Sequence, residues 1–149
     1  PIPRRQRQMC IRDRIFERTI MVNLTSIWYQ IAAFDTLLRA SDAGRAVLVS
    51  SGAAQGARAY WGAYAVSKAG LEAMARAWAA ESEKTEMRIN LIDPGATRTA
   101  MRAAAYPGED PDSLRTAEDI TPAFLHLLSP DCTSQGMLYK AAELSAKLG

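Results

Sequence analysis

Residues 46–95 read AVLVSSGAAQGARAYWGAYAVSKAGLEAMARAWAAESEKTEMRINLIDPG. The opening Ala46-Val47-Leu48-Val49 is an unbroken apolar run with two β-branched valines, the pattern of a short strand covered on both faces. It stops at Ser50-Ser51-Gly52 and passes into a loop-like stretch, Gln55 to Arg58. From Trp61 to about Lys84 the spacing is helical, with Leu71, Met74, Ala75 and Trp78 on one face and Glu72, Arg76 and Glu83 assigned elsewhere. Met87 to Ile92 reads as a second strand, ended by Asp93-Pro94-Gly95, whose proline cannot extend it. Strand, helix, strand over this length predicts parallel pairing through a right-handed crossover.

Working outward, apolar residues recur at helical spacing from Phe16 to Arg39 (Ile20, Ile27, Ala32, Phe34, Leu37, Leu38), and Ser41-Asp42-Ala43-Gly44 supplies the stop. Downstream, a polar segment holds Pro107, Gly108 and Pro111. Ala117 to Leu128 then reads as a helix and Gly136 to Tyr139 as a last short strand. Alternating helices and strands predict a three-layer α/β arrangement around a parallel sheet. Ligands of such sheets bind beyond the carboxyl ends of the strands, where Ser51 and Pro94-Gly95 lie.

A chain of 149 residues with 48% hydrophobic and 23% charged residues suits one soluble globular core. Its net charge of +2 is uneven: residues 1–14, PIPRRQRQMCIRDR, hold five arginines and one aspartate, leaving 13 bases and 15 acids in the body. A basic end without a basic fold argues against a nucleic-acid partner. That end resembles translated sequencing-adaptor read-through, so residues 1–14 are expected to be a non-native or disordered leader and 15–149 the folded domain. Cys10 and Cys132 are too few for a disulfide framework and lack zinc-ligand spacing, which points to a reducing cytoplasm and to no metal site, with Cys132 an inert loop thiol. The longest uncharged stretch, Thr19 to Phe34, falls short of the ~20 apolar residues that span a bilayer, so no membrane helix is expected.

Tyr64 and Lys68 stand four residues apart at a helix start, where both side chains lie on one face. A phenol of ordinary pKa ~10 exchanges protons poorly at neutral pH, but a neighbouring ammonium and the helix N-terminal dipole both favour its phenolate. Ser51, thirteen residues upstream, offers a hydroxyl to a carbonyl oxygen that develops charge; its neighbour Ser50 is the less favoured candidate. These are parts for carbonyl/alcohol redox chemistry. A nucleophilic hydrolase fits poorly, with no Gly-x-Ser-x-Gly elbow, and His126 within FLHLL is expected to be structural.

Taken together, VLVSSGAA, YAVSKAGLEAMARAWAAE and RINLIDPGATRTAM resemble three motifs of the short-chain dehydrogenase/reductase family, in order and at matching separations. The resemblance covers about Ile20 to Tyr139, and RTAMRAAAYPGEDPDSLRTAEDI is most similar to a poorly characterised bacterial branch. It implies a Rossmann-like NAD(P)-binding fold in which Ser51 polarises the substrate oxygen, Tyr64 is the general acid/base, and Lys68 lowers its pKa while touching the nicotinamide ribose. Asn23, in VNLTS, is similar to the family's asparagine that holds a water of the proton relay. Pro94, Gly95 and Thr99 match the segment that meets the nicotinamide carboxamide, with Ala96 and Thr97 beside it.

The implied cofactor is NAD or NADP, the substrate a small carbonyl or alcohol, and the partner a second copy bound through helices at about 20–40 and 61–84. No Gly-x-x-x-Gly-x-Gly and no Asn-Asn-Ala-Gly segment is present, so the family's N-terminal, nucleotide-binding half is expected to be missing. Lys140-Ala141-Ala142 stands where Asp-Gly-Gly commonly follows the last strand. Beside the oxidoreductase expectation stands another, a catalytically silent truncated fragment or dimerising module.

Overall fold

The computed structural model describes residues 13–56 and 59–149. Most of the leader, with Cys10, lies outside the described residues, as do Ala57 and Arg58 of the expected loop. Helix α1 spans Asp13–Ile20 and α2 spans Ser26–Ala40, joined by a wide π turn over Met21–Thr25. The periodicity predicts one uninterrupted helix from Phe16 to Arg39. The π turn breaks it where Ser26 Oγ donates to the Val22 carbonyl (2.6 Å), a back-bond of the kind that bends helices.

Strand β1 (Arg45–Val49) follows, then a 3-10 turn (Gly52–Ala54), helix α3 (Gly62–Glu81) and strand β2 (Arg88–Asp93). Helix α4 (Ala100–Ala105), a second 3-10 turn (Pro111–Ser113), helix α5 (Ala117–Leu128), strand β3 (Leu138–Lys140) and helix α6 (Ala141–Leu148) complete the order. The sheet runs β1-β2-β3, parallel throughout, with Leu48 opposite Leu91 and Ile92 opposite Tyr139. Alternate side chains of a strand face opposite layers. Leu48, Ile89 and Leu91 therefore pack with Leu71, Ala75 and Trp78 of α3 and with Ile27 and Ile31 of α2. Ile92 and Val47 pack with Ile120, Ala123 and Leu127 of α5 and Leu144 of α6.

Two expectations need correction. Val49 is 41% exposed, because β1 is an edge strand and no described element covers its end; within the strand Leu48 is buried, and Arg45, Ala46 and Val47 are half-buried. Glu72 belongs to the buried side of α3 at 4% exposure, held there by Ser50 Oγ at 2.5 Å and by Arg76 at 2.8 Å, whereas Met74 is only half-buried. The helices α4 and α6 were not expected from the sequence. Cys132 is free and buried, with Asn90 beside it; the Asn90 amide donates to the Ser134 carbonyl (2.8 Å) and stitches β2 to the approach of β3.

The α2 and α3 layer is tied by Asp35, which accepts from the Trp78 indole N–H (2.6 Å) and from Arg39 Nε (2.8 Å), while Arg39 Nη2 reaches Ser82 Oγ (3.0 Å). The Arg39 bond, then the Trp78 bond, hold the Asp35 carboxyl below its ordinary value. A depressed carboxyl pKa contributes stability that is full above the unfolded value and is lost as pH falls through the folded one. Asp35→Asn is therefore expected to cost ~1–2 kcal/mol in urea unfolding at neutral pH, and the deficit should shrink at acid pH, as the pH falls through the depressed folded value. A deficit of equal size at both pH values would show that Asp35 acts without its charge.

Candidate active site

The ladder of β1 continues one residue past its end, where the Ser50 N–H donates to the Ile92 carbonyl (2.7 Å). The next residue, Ser51, is extended and opens the 3-10 turn, its Oγ accepting from the Ala53 N–H (3.2 Å). Accepting there leaves the hydroxyl proton for another partner. Ser50 Oγ, in contrast, is engaged by the Glu72 carboxylate.

Tyr64 sits in the first turn of α3, at the positive end of the helix dipole. Lys68 follows one turn later, its Nζ 5.9 Å from the Tyr64 ring centroid and donating to the Val49 carbonyl (2.9 Å). Burial pushes the Lys68 ammonium below its ordinary pKa. Asn23, in the π turn, donates through Nδ2 to Ser67 Oγ (3.1 Å), and the buried Ser67 donates in turn to the Tyr64 carbonyl (2.8 Å). That chain joins the π turn to the backbone of the helix turn that carries Tyr64.

Beyond β2, Gly95 has φ +70°, the left-handed region that glycine enters without strain. An added Cβ there would meet nothing within 4 Å, so the backbone conformation rather than crowding calls for glycine. The Gly95 N–H donates to Asp93 Oδ1 (2.9 Å). Thr97 is buried, its hydroxyl donating to the Pro94 carbonyl (3.3 Å), and its neighbour Arg98 donates through N–H to the Arg115 carbonyl (2.8 Å). Thr99 caps α4 by accepting from the Arg102 N–H (3.1 Å).

Ser51, Tyr64, Pro94, Gly95, Thr97 and Thr99 border one cavity of about 590 Å³. Ala96 borders an adjoining one of about 670 Å³ that shares Ser51 and Gly95. Asn23 and Lys68 lie instead on a groove of about 440 Å³ beside Val49, at the edge of β1. The structure thus gathers six of the nine expected site residues around one space and sets the other three next to it. His126, expected to be structural rather than catalytic, is exposed on α5 and lies outside this cavity.

Sequence reasoning missed Ser67 and the cavity residues Trp61, Met101, Arg102 and Tyr106. Trp61 alone carried a local signal, three residues ahead of Tyr64, so that the two rings meet edge to face at 5.6 Å. Among the described residues no group of three His, Cys, Asp or Glu side chains is placed to hold a metal ion. None of the described helices is long and apolar enough to cross a membrane.

The family model for short chain dehydrogenase matches residues 2–110. An uncharacterized oxidoreductase of Escherichia coli K12, YciK, is 41% identical over 129 residues, which are 86% of this chain and 51% of that protein. The chain belongs to the short-chain dehydrogenase family. The solved structure of a Pseudomonas syringae short chain dehydrogenase is similar at TM-score 0.84 and 39% identity, covering 87% of this chain and 53% of that one. Another, an Escherichia coli CFT073 short chain dehydrogenase complexed with NADPH, is similar at TM-score 0.82 and 40% identity, covering 86% and 53%. This short-chain dehydrogenase chain spans about half the length of the relatives it matches. The stretch matched by the family model takes in Asn23, Ser51, Tyr64, Lys68 and the 94–99 turn.

Proposed function

We propose that the chain is the catalytic portion of an NAD(P)-dependent oxidoreductase that interconverts a carbonyl and an alcohol. The observation that carries the reading is the convergence of Ser51, Tyr64 and the Pro94-Gly95 turn on one cavity, with the Lys68 ammonium 5.9 Å from the Tyr64 ring. Tyr64 is the general acid/base that gives its proton to the substrate oxygen or takes it back. Lys68 sets its ammonium beside the Tyr64 ring, and the N-terminus of α3 adds the positive end of its dipole on the same side. Ser51 donates its hydroxyl proton to the developing oxyanion. Asn23, through Ser67, steadies the helix turn that carries Tyr64, and its assigned part is to hold a water of the proton relay.

Bound NAD or NADP would supply or accept the hydride. Tyr64, Lys68, Pro94, Gly95, Ala96, Thr97 and Thr99 suit a nicotinamide riboside, because the left-handed Gly95 leaves the turn open above the cavity and Thr99 sits at its rim. The NADPH complex of a 40% identical neighbour supports that choice.

A homodimer through α2 and α3 belongs to the same reading: Trp28, Tyr29, Phe34 and Leu37 are all exposed on α2, and a groove between the two helices runs past Trp28 and Ala73. The free, buried Cys132 fits a cytoplasmic setting. The exposed Val49 edge favours a second reading, a catalytically silent dimerising module. Joined to the dinucleotide-binding half of the Escherichia coli relative, the chain is expected to oxidise NADPH in the presence of an aldehyde. No turnover from the joined protein would overturn the oxidoreductase reading, and saturable NADPH fluorescence with the chain alone would overturn the silent one.

A further inference from the structure

We infer that the cavity beside Tyr64 takes neutral, flat, ring-bearing carbonyl compounds and turns away those that carry a carboxylate or phosphate. Which bond reacts rests on the oxidoreductase reading; the binding preference does not.

One part of the lining is aromatic. Trp61 meets Tyr64 edge to face, and its centroid is 6.0 Å from that of Tyr106 with the planes 35° apart. Met101 of α4 and Ile120 of α5 add apolar surface to the same space of about 590 Å³, a volume within the ~300–1,000 Å³ typical of small-molecule sites. Rings of this kind reward a flat ligand by stacking and edge contacts.

The charges around the cavity point the same way. Among the described residues that border it, the charged ones are Arg102 and Asp93. An unpaired Arg102 would be the natural anchor for an acidic substrate, since its planar fork matches a carboxylate or phosphate. That fork is already occupied: Nε and Nη2 each donate to the Glu109 carboxylate at 2.6 Å. The guanidinium also lies 3.7 Å above the Tyr106 ring, a cation–π contact that fixes its plane. The turn that brings these groups together is closed by the Tyr106 N–H on the Arg102 carbonyl (2.9 Å) and the Glu109 N–H on the Tyr106 carbonyl (3.1 Å). With Arg102 paired, Asp93, whose Oδ1 accepts from the Gly95 N–H, is the charged side chain without an ion pair among the described residues that border the cavity, and an anionic ligand would have to face it.

The test compares two ligands of one shape, 2-acetylnaphthalene and 6-acetyl-2-naphthoate, titrated into the 149-residue chain by calorimetry. The neutral ketone is expected to bind ~10-fold tighter or better. Glu109→Gln leaves Arg102 charged and released, and should reduce that ratio ~10-fold, chiefly by tightening the naphthoate. Trp61→Leu should weaken the neutral ketone ~3–10-fold, whereas Trp61→Phe, which keeps a ring and serves as the folding control, should weaken it less. Equal or tighter binding of the naphthoate to the unaltered chain overturns the inference, as does a ratio untouched by Glu109→Gln. Failure of NADPH turnover with the ketone preference intact would strike the oxidoreductase reading alone.

Discussion

Tyr64→Phe, made in the chain joined to a dinucleotide-binding half, is expected to lower NADPH-dependent carbonyl reduction ~10²–10⁴-fold, the range that a positioned general acid/base supplies. The substitution removes one oxygen and leaves the ring. Its edge contact with Trp61 at 5.6 Å is therefore kept, and so is the Ser67 bond, which ends on the Tyr64 backbone carbonyl rather than on its side chain. Lys68 stays anchored on the Val49 carbonyl. With packing and backbone unchanged, melting temperature should move little and the loss should fall on kcat rather than on KM, since the missing proton transfer belongs to the transition state. A loss below ~10-fold would take the acid/base role away from Tyr64 and make Ser51 the group to test next.

What could be read from the sequence was local. The three strands are within about two residues of their expected ends because β1 and β3 hold short apolar runs, β2 alternates apolar and polar residues, and glycine, proline or serine stands near each border. Tyr64 and Lys68 were legible as a pair because four residues make one helical turn. What was hidden depends on partners far along the chain. Glu72 looks like a surface residue of an amphipathic helix until Ser50, 22 residues upstream, meets it. Ser67 has no motif of its own and owes its place to Asn23, 44 residues away.

The π turn at Met21–Thr25 was hidden for another reason: its residues keep the helical spacing of apolar groups while the backbone widens beneath them. Helices α4 and α6, of six and eight residues, are too short to show a periodicity. The aromatic wall joins Trp61 to Tyr106 across two strand ends, a juxtaposition that only the crossover topology creates. Gly44 shows a subtler gap. Its position was legible as a stop signal after α2, but its physical reason was not. No positive φ is recorded for it, unlike Gly95 and Gly136; it is needed for space.

Gly44→Ala is accordingly expected to cost ~3 kcal/mol, at the upper end of what overpacking a buried site costs, and to lower the melting temperature by roughly 6–12 °C at this chain length. The added Cβ would fall on the carbonyl oxygen of Leu38 and 2.9 Å from its carbon, both backbone atoms in the last turn of α2. Neither side can easily yield. The Leu38 carbonyl accepts from the Ser41 N–H (3.3 Å), while the Gly44 carbonyl accepts from the Arg88 N–H (2.9 Å) and from Arg45 Nη1 (2.9 Å), so shifting it strains the first rung between β1 and β2. Arg45 carries the strain further, because its Nε and Nη2 also hold the Ser129 and Pro130 carbonyls at the end of α5. Gly108→Ala is the control: nothing lies within 4 Å of its added Cβ, and its cost should stay within ~0.5 kcal/mol. If the two variants melted together, the Leu38 carbonyl would have to be free to move aside. The junction that sets the height of β1, and with it the position of Ser51 over the cavity, would then be a compliant one.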